Sequence, residues 1–225
     1  MKHPVTPAEA VAQIPDGASL MIGGFMGCGV PYTLIEAIIA AGKKNLTIIS
    51  NDNDRVNQGI GRLIHEGCVS HVITSHIGLN PETQKGMIDG TIQVDLVPQG
   101  TLAEQIRSAG HGLGGVLTKT ALGTIAAKAG ETVHLNGEDW LYMPPLKADF
   151  AVIHADQADH IGNLSYRLTA QNFSPLMALA ADHVICEVRE FVPVGIIPPD
   201  LVKTPGIVVD TLVPAITNKP IKPAQ

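Results

Sequence analysis

Two rhythms alternate along this chain: short apolar runs, and longer segments whose apolar residues recur at helical spacing. Thr6-Pro7-Ala8-Glu9 predicts a short helix, with a capping threonine before a first-turn proline and glutamate. Pro15-Asp16-Gly17 turns the chain into the apolar run Ala18–Ile22, the first strand. A glycine-dense stretch follows, and Pro31 opens a helix to about Ala41, closed by Gly42. Leu46–Ser50 reads as the second strand and Arg55–Glu66 as a helix ending at Gly67. Val69–Ser75 is the third strand, and Asn80-Pro81-Glu82 starts a helix that closes near Gly90. Ile92–Val97 is the fourth strand, followed by a helix over Leu102–Ala109. Strand and helix exchanged at such short spacing predict right-handed βαβ units.

Between Gly110 and Lys147 the rhythm breaks into Gly-rich and turn-rich sequence. Glu131–Tyr142 reads as a hairpin about Asn136-Gly137, a pair suited to a type I′ turn. Asp149–His154 and His183–Val188 are expected as two further buried strands, with a helix over Pro175–Asp182 between them. The proline-spaced end, Pro193 to Gln225, is expected to be irregular, with a tail from about residue 214. The pattern predicts one α/β domain across residues 1–225: an open, mostly parallel sheet with helices on both faces, plus an inserted β-hairpin region.

Composition narrows this further. The chain is 45% hydrophobic, 16% charged and 4% aromatic, so its core is aliphatic, as parallel strands covered on both faces require. A net charge of −6 and scattered basic residues leave no electrostatic footprint for nucleic acid. Cys28, Cys68 and Cys186 are odd in number and far apart, with no C-x-x-C, which argues against a disulfide framework or a structural zinc. The apolar runs fall far short of the ~20 residues that span a bilayer, and the first residues have no apolar leader core. A soluble, cytoplasmic protein is expected.

Candidate chemistry gathers where strands end. In Gly23-Gly24-Phe25-Met26-Gly27-Cys28-Gly29-Val30-Pro31, a strand runs through glycines to a helix N-terminus. Such glycines admit positive φ and close approach, and the helix end offers N–H groups to a carboxylate, phosphate or developing oxyanion. The same stretch could be a tight turn that packs the helix on the sheet. Its Gly24-x-x-Gly27-x-Gly29 spacing runs opposite to the dinucleotide fingerprint; Gly110–Gly115 matches G-x-G-x-x-G but follows a helix instead of a strand. Asn51 and Gln99 stand just past the second and fourth strands, where uncharged amides can donate to a carbonyl, or else cap a helix or turn. His154-Ala-Asp156-Gln-Ala-Asp159-His160 reads as solvated loop residues at a strand end and not as metal ligands. Cys28 reads as a small packing residue. The chain has no G-x-S-x-G elbow, no P-loop and no H-E-x-x-H helix.

Taken together, these segments resemble a known family. Asp16-Gly17, Gly23-Gly24-Phe25, Gly29 and Pro31 are similar to the N-terminal signature of family I CoA-transferases. Ser50-Asn51-Asp52, His76-x-Gly78-x-Asn80-Pro81-Glu82, Pro98-Gln99-Gly100-Thr101, Gly112-x-Gly114-Gly115 and Ala170-x-Asn172-Phe173 follow in the order of the alpha subunit of the acetate/acetoacetate type. The resemblance runs to about Pro214. It implies a ping-pong transfer of CoA between short-chain acyl-CoA and a carboxylic acid, through a glutamate held by a beta subunit in a Ser-Glu-Asn-Gly motif that this chain lacks. It further implies a hetero-oligomer of two alpha and two beta subunits, with coenzyme A and acyl-CoA as substrates and no permanently bound cofactor. By the same resemblance, Asn51 and Gln99 face the reacting thioester. Gly23, Gly24, Phe25, Gly27, Gly29 and Gly100 then lie on the substrate and CoA side, and most of the CoA nucleotide contact falls to the partner. The implied fold is related to that of sugar-phosphate isomerases, so a stand-alone isomerase or a sugar-phosphate sensor is the alternative. Either would need paired acid/base residues within one chain, and no such Asp/His set stands out.

Overall fold

In the computed structural model, which describes residues 1–216, local signals set the first elements. The Thr6 side chain accepts from the Glu9 N–H and Glu9 returns the bond to the Thr6 N–H, a capping box that starts helix α1, Pro7–Ala12. Strand β1, Ser19–Ile22, leads to helix α2, Tyr32–Ala40, and strand β2, Leu46–Asp52. Helix α3, Ile60–His65, strand β3, Val69–His76, helix α4, Pro81–Asp89, and strand β4, Gln93–Leu96, follow. Asn80 caps α4 as expected, accepting from the Glu82 and Thr83 N–H groups, and Gly90 ends it in the left-handed conformation. Helix α5 spans Gln99–Gly110.

A small antiparallel sheet comes next: β5 (Val116–Thr118), β6 (Glu131–Leu135) and β7 (Glu138–Met143), in the order β5-β7-β6. The expected hairpin is present, with Asn136 and Gly137 both at positive φ, 53° and 81°. The chain then returns through β8 (Ala148–Asp159), β9 (Leu164–Ser165), α6 (Ser174–Ala180), β10 (Ala181–Val192) and β11 (Thr211–Pro214).

The large sheet has the order β11-β10-β8-β1-β2-β3-β4 with every neighbour parallel, and β9 adds antiparallel to β8. The chain therefore starts in the middle, winds outward through β2 to β4, and comes back to build the other half from β8. Alternation along β1 sends Leu20 and Ile22 to one face and Met21 to the other. On the first face they pack with Leu34, Ile35 and Ile38 of α2 and Leu63 of α3; on the second, Met21 joins Leu102 and Ile106 of α5 and Met177 of α6. Leu141 and Met143 of the small sheet enter that second core as well. Helices thus cover both faces, as the pattern predicts.

Some boundaries differ from the expectation. The helix expected from Arg55 begins only at Ile60, because Asp54, Asn57 and Gly59 all take positive φ and hold the chain in a turn. Helix α5 starts at Gln99, earlier than the spacing suggests. Strands β8 and β10 run twelve residues each, far past the apolar stretches, because polar pairs continue the ladder: Arg189 Nε donates to Asp156 Oδ1 at 2.6 Å and Gln157 Nε2 to Glu190 Oε2 at 3.1 Å. The segment from Pro193 is not wholly irregular, since Thr211–Pro214 pairs in register with Ile185–Val188 of β10. The expected tail beyond residue 216 lies outside the described residues. Among the described residues, no helix is long and apolar enough to cross a membrane.

Candidate active site

The order of the large sheet reverses between β1 and β8, and a ligand crevice in such a sheet lies outside the carboxyl ends of the strands at that point. Asn51, near the end of β2, is buried, yet its side chain belongs to a cluster drawn from three elements. Gln99 Nε2, on the first turn of α5, donates to Asn51 Oδ1 at 2.7 Å. Ser75 Oγ, near the end of β3, lies 2.6 Å from the Asn51 carbonyl oxygen and 3.1 Å from Asn51 Oδ1. The carboxamide oxygen is thereby committed to Gln99 and Ser75, and Asn51 Nδ2 has no hydrogen-bond partner among the described residues. The two amides expected separately at strand ends form one unit in which Gln99 orients Asn51. Gly100 lies beside them in the open, since a Cβ there would meet nothing within 4 Å.

The glycine stretch folds as a tight hairpin. The Phe25 N–H donates to the Cys28 carbonyl at 3.0 Å and the Cys28 N–H to the Phe25 carbonyl at 2.9 Å. Met26 and Gly27 between them take φ of 47° and 81°, a type I′ turn. Gly24 has φ 128°, which only glycine adopts readily, and a Cβ there would run into the Val30 side chain. A Cβ at Gly23 would strike Ser174 Oγ, and one at Gly29 the Ala170 carbonyl. At these three positions the approaching atoms belong to the chain itself, which is the tight-turn alternative. What the hairpin turns outward is Phe25 and Met26, 39% and 48% exposed.

Nor are its N–H groups open to an anion. Gly23 donates to the Val152 carbonyl (3.1 Å), Gly24 to Asn172 Oδ1 (3.1 Å), Met26 to the Asp52 carboxylate (3.2 Å to each oxygen) and Gly27 to Asp54 Oδ1 (2.6 Å). The helix N-terminus is filled too: Glu187 Oε2 accepts from the Thr33 and Leu34 N–H groups at 2.7 and 3.2 Å. The α2 end does attract a carboxylate, as its dipole predicts, but that carboxylate comes from β10 of the same chain. This corrects the expectation of free N–H groups there.

Asp52, Asp54 and Glu187 are each almost fully buried. Burial raises the Asp52 pKa against the bonds that favour its charge. Asp54 is pushed up to about 6, first by burial and then by the charge of Asp52. Burial, reinforced by Asp54, likewise pushes the Tyr32 hydroxyl up to about 12.

The His154–His160 segment also needs correcting, since most of it continues β8 and is not a solvated loop. His154 Nδ1 lies 3.2 Å from Glu187 Oε1, and buried Asp159 accepts from the Ile161 and Asn163 N–H groups at 3.0 and 2.9 Å. Cys28 is half-buried, 3.5 Å from Thr169 Oγ1. Sequence reasoning misses Ser75, Asp54 and Glu187 as parts of this edge. Ser75 alone left a signal, ending its apolar run in serine as Ser50 ends the second.

A doubly wound parallel sheet with a glycine hairpin at the carboxyl end of β1 and an amide pair at the ends of β2 and β4 defines the open α/β class, in which small-molecule ligands gather at that edge. The chain belongs to the coenzyme A transferase family, whose pattern matches residues 5–215. It is 48% identical over 215 residues to the acetate CoA-transferase subunit alpha of Escherichia coli, covering 96% of this chain and 98% of that one. It is 45% identical over 198 residues to the acetoacetyl-CoA:acetate/butyrate CoA transferase alpha subunit of Clostridium acetobutylicum, covering 88% and 91%. Among solved structures, the acyl-CoA transferase YdiF of Escherichia coli, a thioester complex with CoA, superposes with a TM-score of 0.85 at 24% identity. That match covers 98% of this chain and spans about half of that one, 50%.

Proposed function

We propose that this chain is the alpha subunit of a heteromeric CoA-transferase that moves CoA between a short-chain acyl-CoA and a carboxylic acid in the cytoplasm. The observation that carries the reading is the near end-to-end likeness to a subunit named alpha, at 48% identity. The edge itself supports a divided site. A carboxylate nucleophile must reach the thioester, yet Glu187 is buried and engaged with α2 and His154. As the family resemblance implies, the nucleophilic glutamate belongs to the beta subunit, and this chain, which has no Ser-Glu-Asn-Gly motif, forms the opposite wall as a single domain.

In this mechanism the partner's carboxylate attacks the thioester carbonyl, and collapse of the adduct releases CoA thiolate and leaves an acyl-glutamyl anhydride. The thiolate then attacks the glutamyl carbonyl of the anhydride, freeing the first acid and leaving glutamyl-CoA, and the second acid takes CoA by the reverse steps. Each attack places charge on a carbonyl oxygen, and Asn51 Nδ2 is the donor held ready for it, with the second N–H of Gln99 beside it. Phe25 and the glycine hairpin, with Gly100, line the mouth near the pantetheine or acyl group. CoA and acyl-CoA enter as substrates, and the CoA nucleotide lies mostly on the partner. Purified alone, the chain should transfer no CoA from acetyl-CoA or acetoacetyl-CoA to an acid, and adding the beta chain should restore transfer. Robust turnover by the isolated chain would overturn the divided site.

A further inference from the structure

We propose that Asp52 and Asp54 are positioning residues that hold the Phe25–Cys28 hairpin over the carboxyl edge in the shape that transfer needs; this rests on the transferase reading above. The hairpin's two internal bonds close it on itself but do not fix it to the sheet. With Phe25 and Met26 outside, apolar burial does not hold its tip. The anchors are polar. Asn172 holds one side, accepting from the Gly24 N–H at 3.1 Å and donating to the Cys28 carbonyl at 3.2 Å. On the other side Asp52 takes the Met26 N–H, and Asp54 takes the Gly27 N–H at 2.6 Å and, through its second oxygen, the Ile60 N–H at 2.9 Å. Asp54 thus ties the hairpin to the start of α3, and Tyr32 OH on α2 adds a bond to the Gly27 carbonyl at 3.1 Å.

The arrangement is poor for stability, which is what points to function. Two carboxylates one residue apart share a buried site, and among the described residues neither forms an ion pair with a lysine or arginine. The groups that face them are each other, the His76 imidazole toward Asp52, and Tyr32 toward Asp54; Cys28 and Glu187 lie further out, around Tyr32. Only the ionised carboxylate accepts both backbone N–H groups at full strength, since a protonated one carries a donor where an acceptor is needed. Buried groups held at such an unfavourable protonation state cluster where the geometry serves a reaction.

Two readouts test this in the alpha–beta complex. Asp54→Asn should lower kcat/KM for acyl-CoA transfer at pH 7.5 by about tenfold to a hundredfold, the size expected for losing a charge-assisted bond. It should also speed amide exchange in the peptide covering residues 23–31 while leaving the strands protected. Asp52→Asn keeps Asp54 and removes the charge that repels it. The acid limb of kcat/KM that wild type should show near pH 6 must therefore move to lower pH, which a merely structural role would not do. If Asp54→Asn fails to assemble, the Asp52→Asn profile decides alone. Unchanged hairpin exchange in Asp54→Asn, or an acid limb that Asp52→Asn leaves in place, would overturn the proposal. If wild type transfers no CoA although assembled, the transferase reading fails instead.

Discussion

Replacing Asn51 by alanine in the assembled complex separates a catalytic amide from a structural one. The change removes the free Nδ2 donor and the acceptor of the Gln99 bond at 2.7 Å, but Ser75 keeps the Asn51 carbonyl at 2.6 Å. The structural loss is small, because Gln99 is exposed and its amide turns to water; one net hydrogen bond and a small void amount to about 1–2 kcal/mol. The catalytic loss is larger: removing one oxyanion donor lowers kcat by about 10²–10³, or ~3–4 kcal/mol. Steady-state transfer kinetics and a melting curve on the same preparation therefore give different answers, with kcat falling steeply while the melting temperature drops by a few degrees. Gln99 supplies the internal control. Gln99→Ala frees Asn51 Oδ1 without removing its donor, so the loss should be nearer tenfold. Gln99→Glu sets a carboxylate against Asn51 Oδ1 and favours turning the Asn51 carboxamide round, which aims Nδ2 at the glutamate; its loss should approach that of Asn51→Ala. If Asn51→Ala keeps kcat within a factor of three while Gln99→Glu is also active, the edge amides are structural and the donor lies on the partner.

Three further outcomes follow from the geometry. Gly24→Ala, with φ 128° and Val30 in the way, should destabilise the alpha chain by more than about 2 kcal/mol in denaturant titration; a fully stable but inactive variant would mean that the substrate and not Val30 fills that space. Glu187→Ala strips the carboxylate from the Thr33 and Leu34 N–H groups and should cost about 1–3 kcal/mol of stability in the same titration. Asp54, raised from 3.8 to about 6, stabilises the fold in its protonated form, so its contribution is full below about pH 4 and is lost as pH rises to about 6, ~3 kcal/mol in all. Titrating stability against pH should show a steeper fall between about pH 4 and 6 in wild type than in Asp54→Asn, where the raised Asp52 still contributes.

Legibility in the sequence followed the range of the interactions. The cap of α1, the Asn80 start of α4 and the Asn136-Gly137 turn are set by residues within a few positions of each other, and each lies where its motif predicts. The strand cores are nearly as plain where short aliphatic runs mark them, as Leu20-Met21-Ile22 does in β1 and Ile48-Ile49 in β2. Where a strand continues on charged pairs, as β8 and β10 do through Asp156 and Arg189, hydropathy sees a loop. The edge was half legible: Asn51 and Gln99 could be singled out at strand ends, but not their bond to each other. Glu187 was out of reach, since nothing near it in sequence reveals the helix N-terminus, some 150 positions earlier, that it fills.

The sheet order also sets how the chain must come together in time. Central strand β1 pairs with β2 almost at once, as Leu20 meets Ile48, but its other neighbour is β8, where Leu20 meets Phe150. The first four strands can form by local βαβ closure, whereas the second half must wait for a contact across most of the chain, which makes the topology slow to complete. A nascent chain halted before Ala148 leaves β1 with one bare parallel edge in the middle of its sheet, an invitation to pair with another molecule. Expression truncated between β7 and β8 should therefore yield aggregates, not a smaller soluble domain.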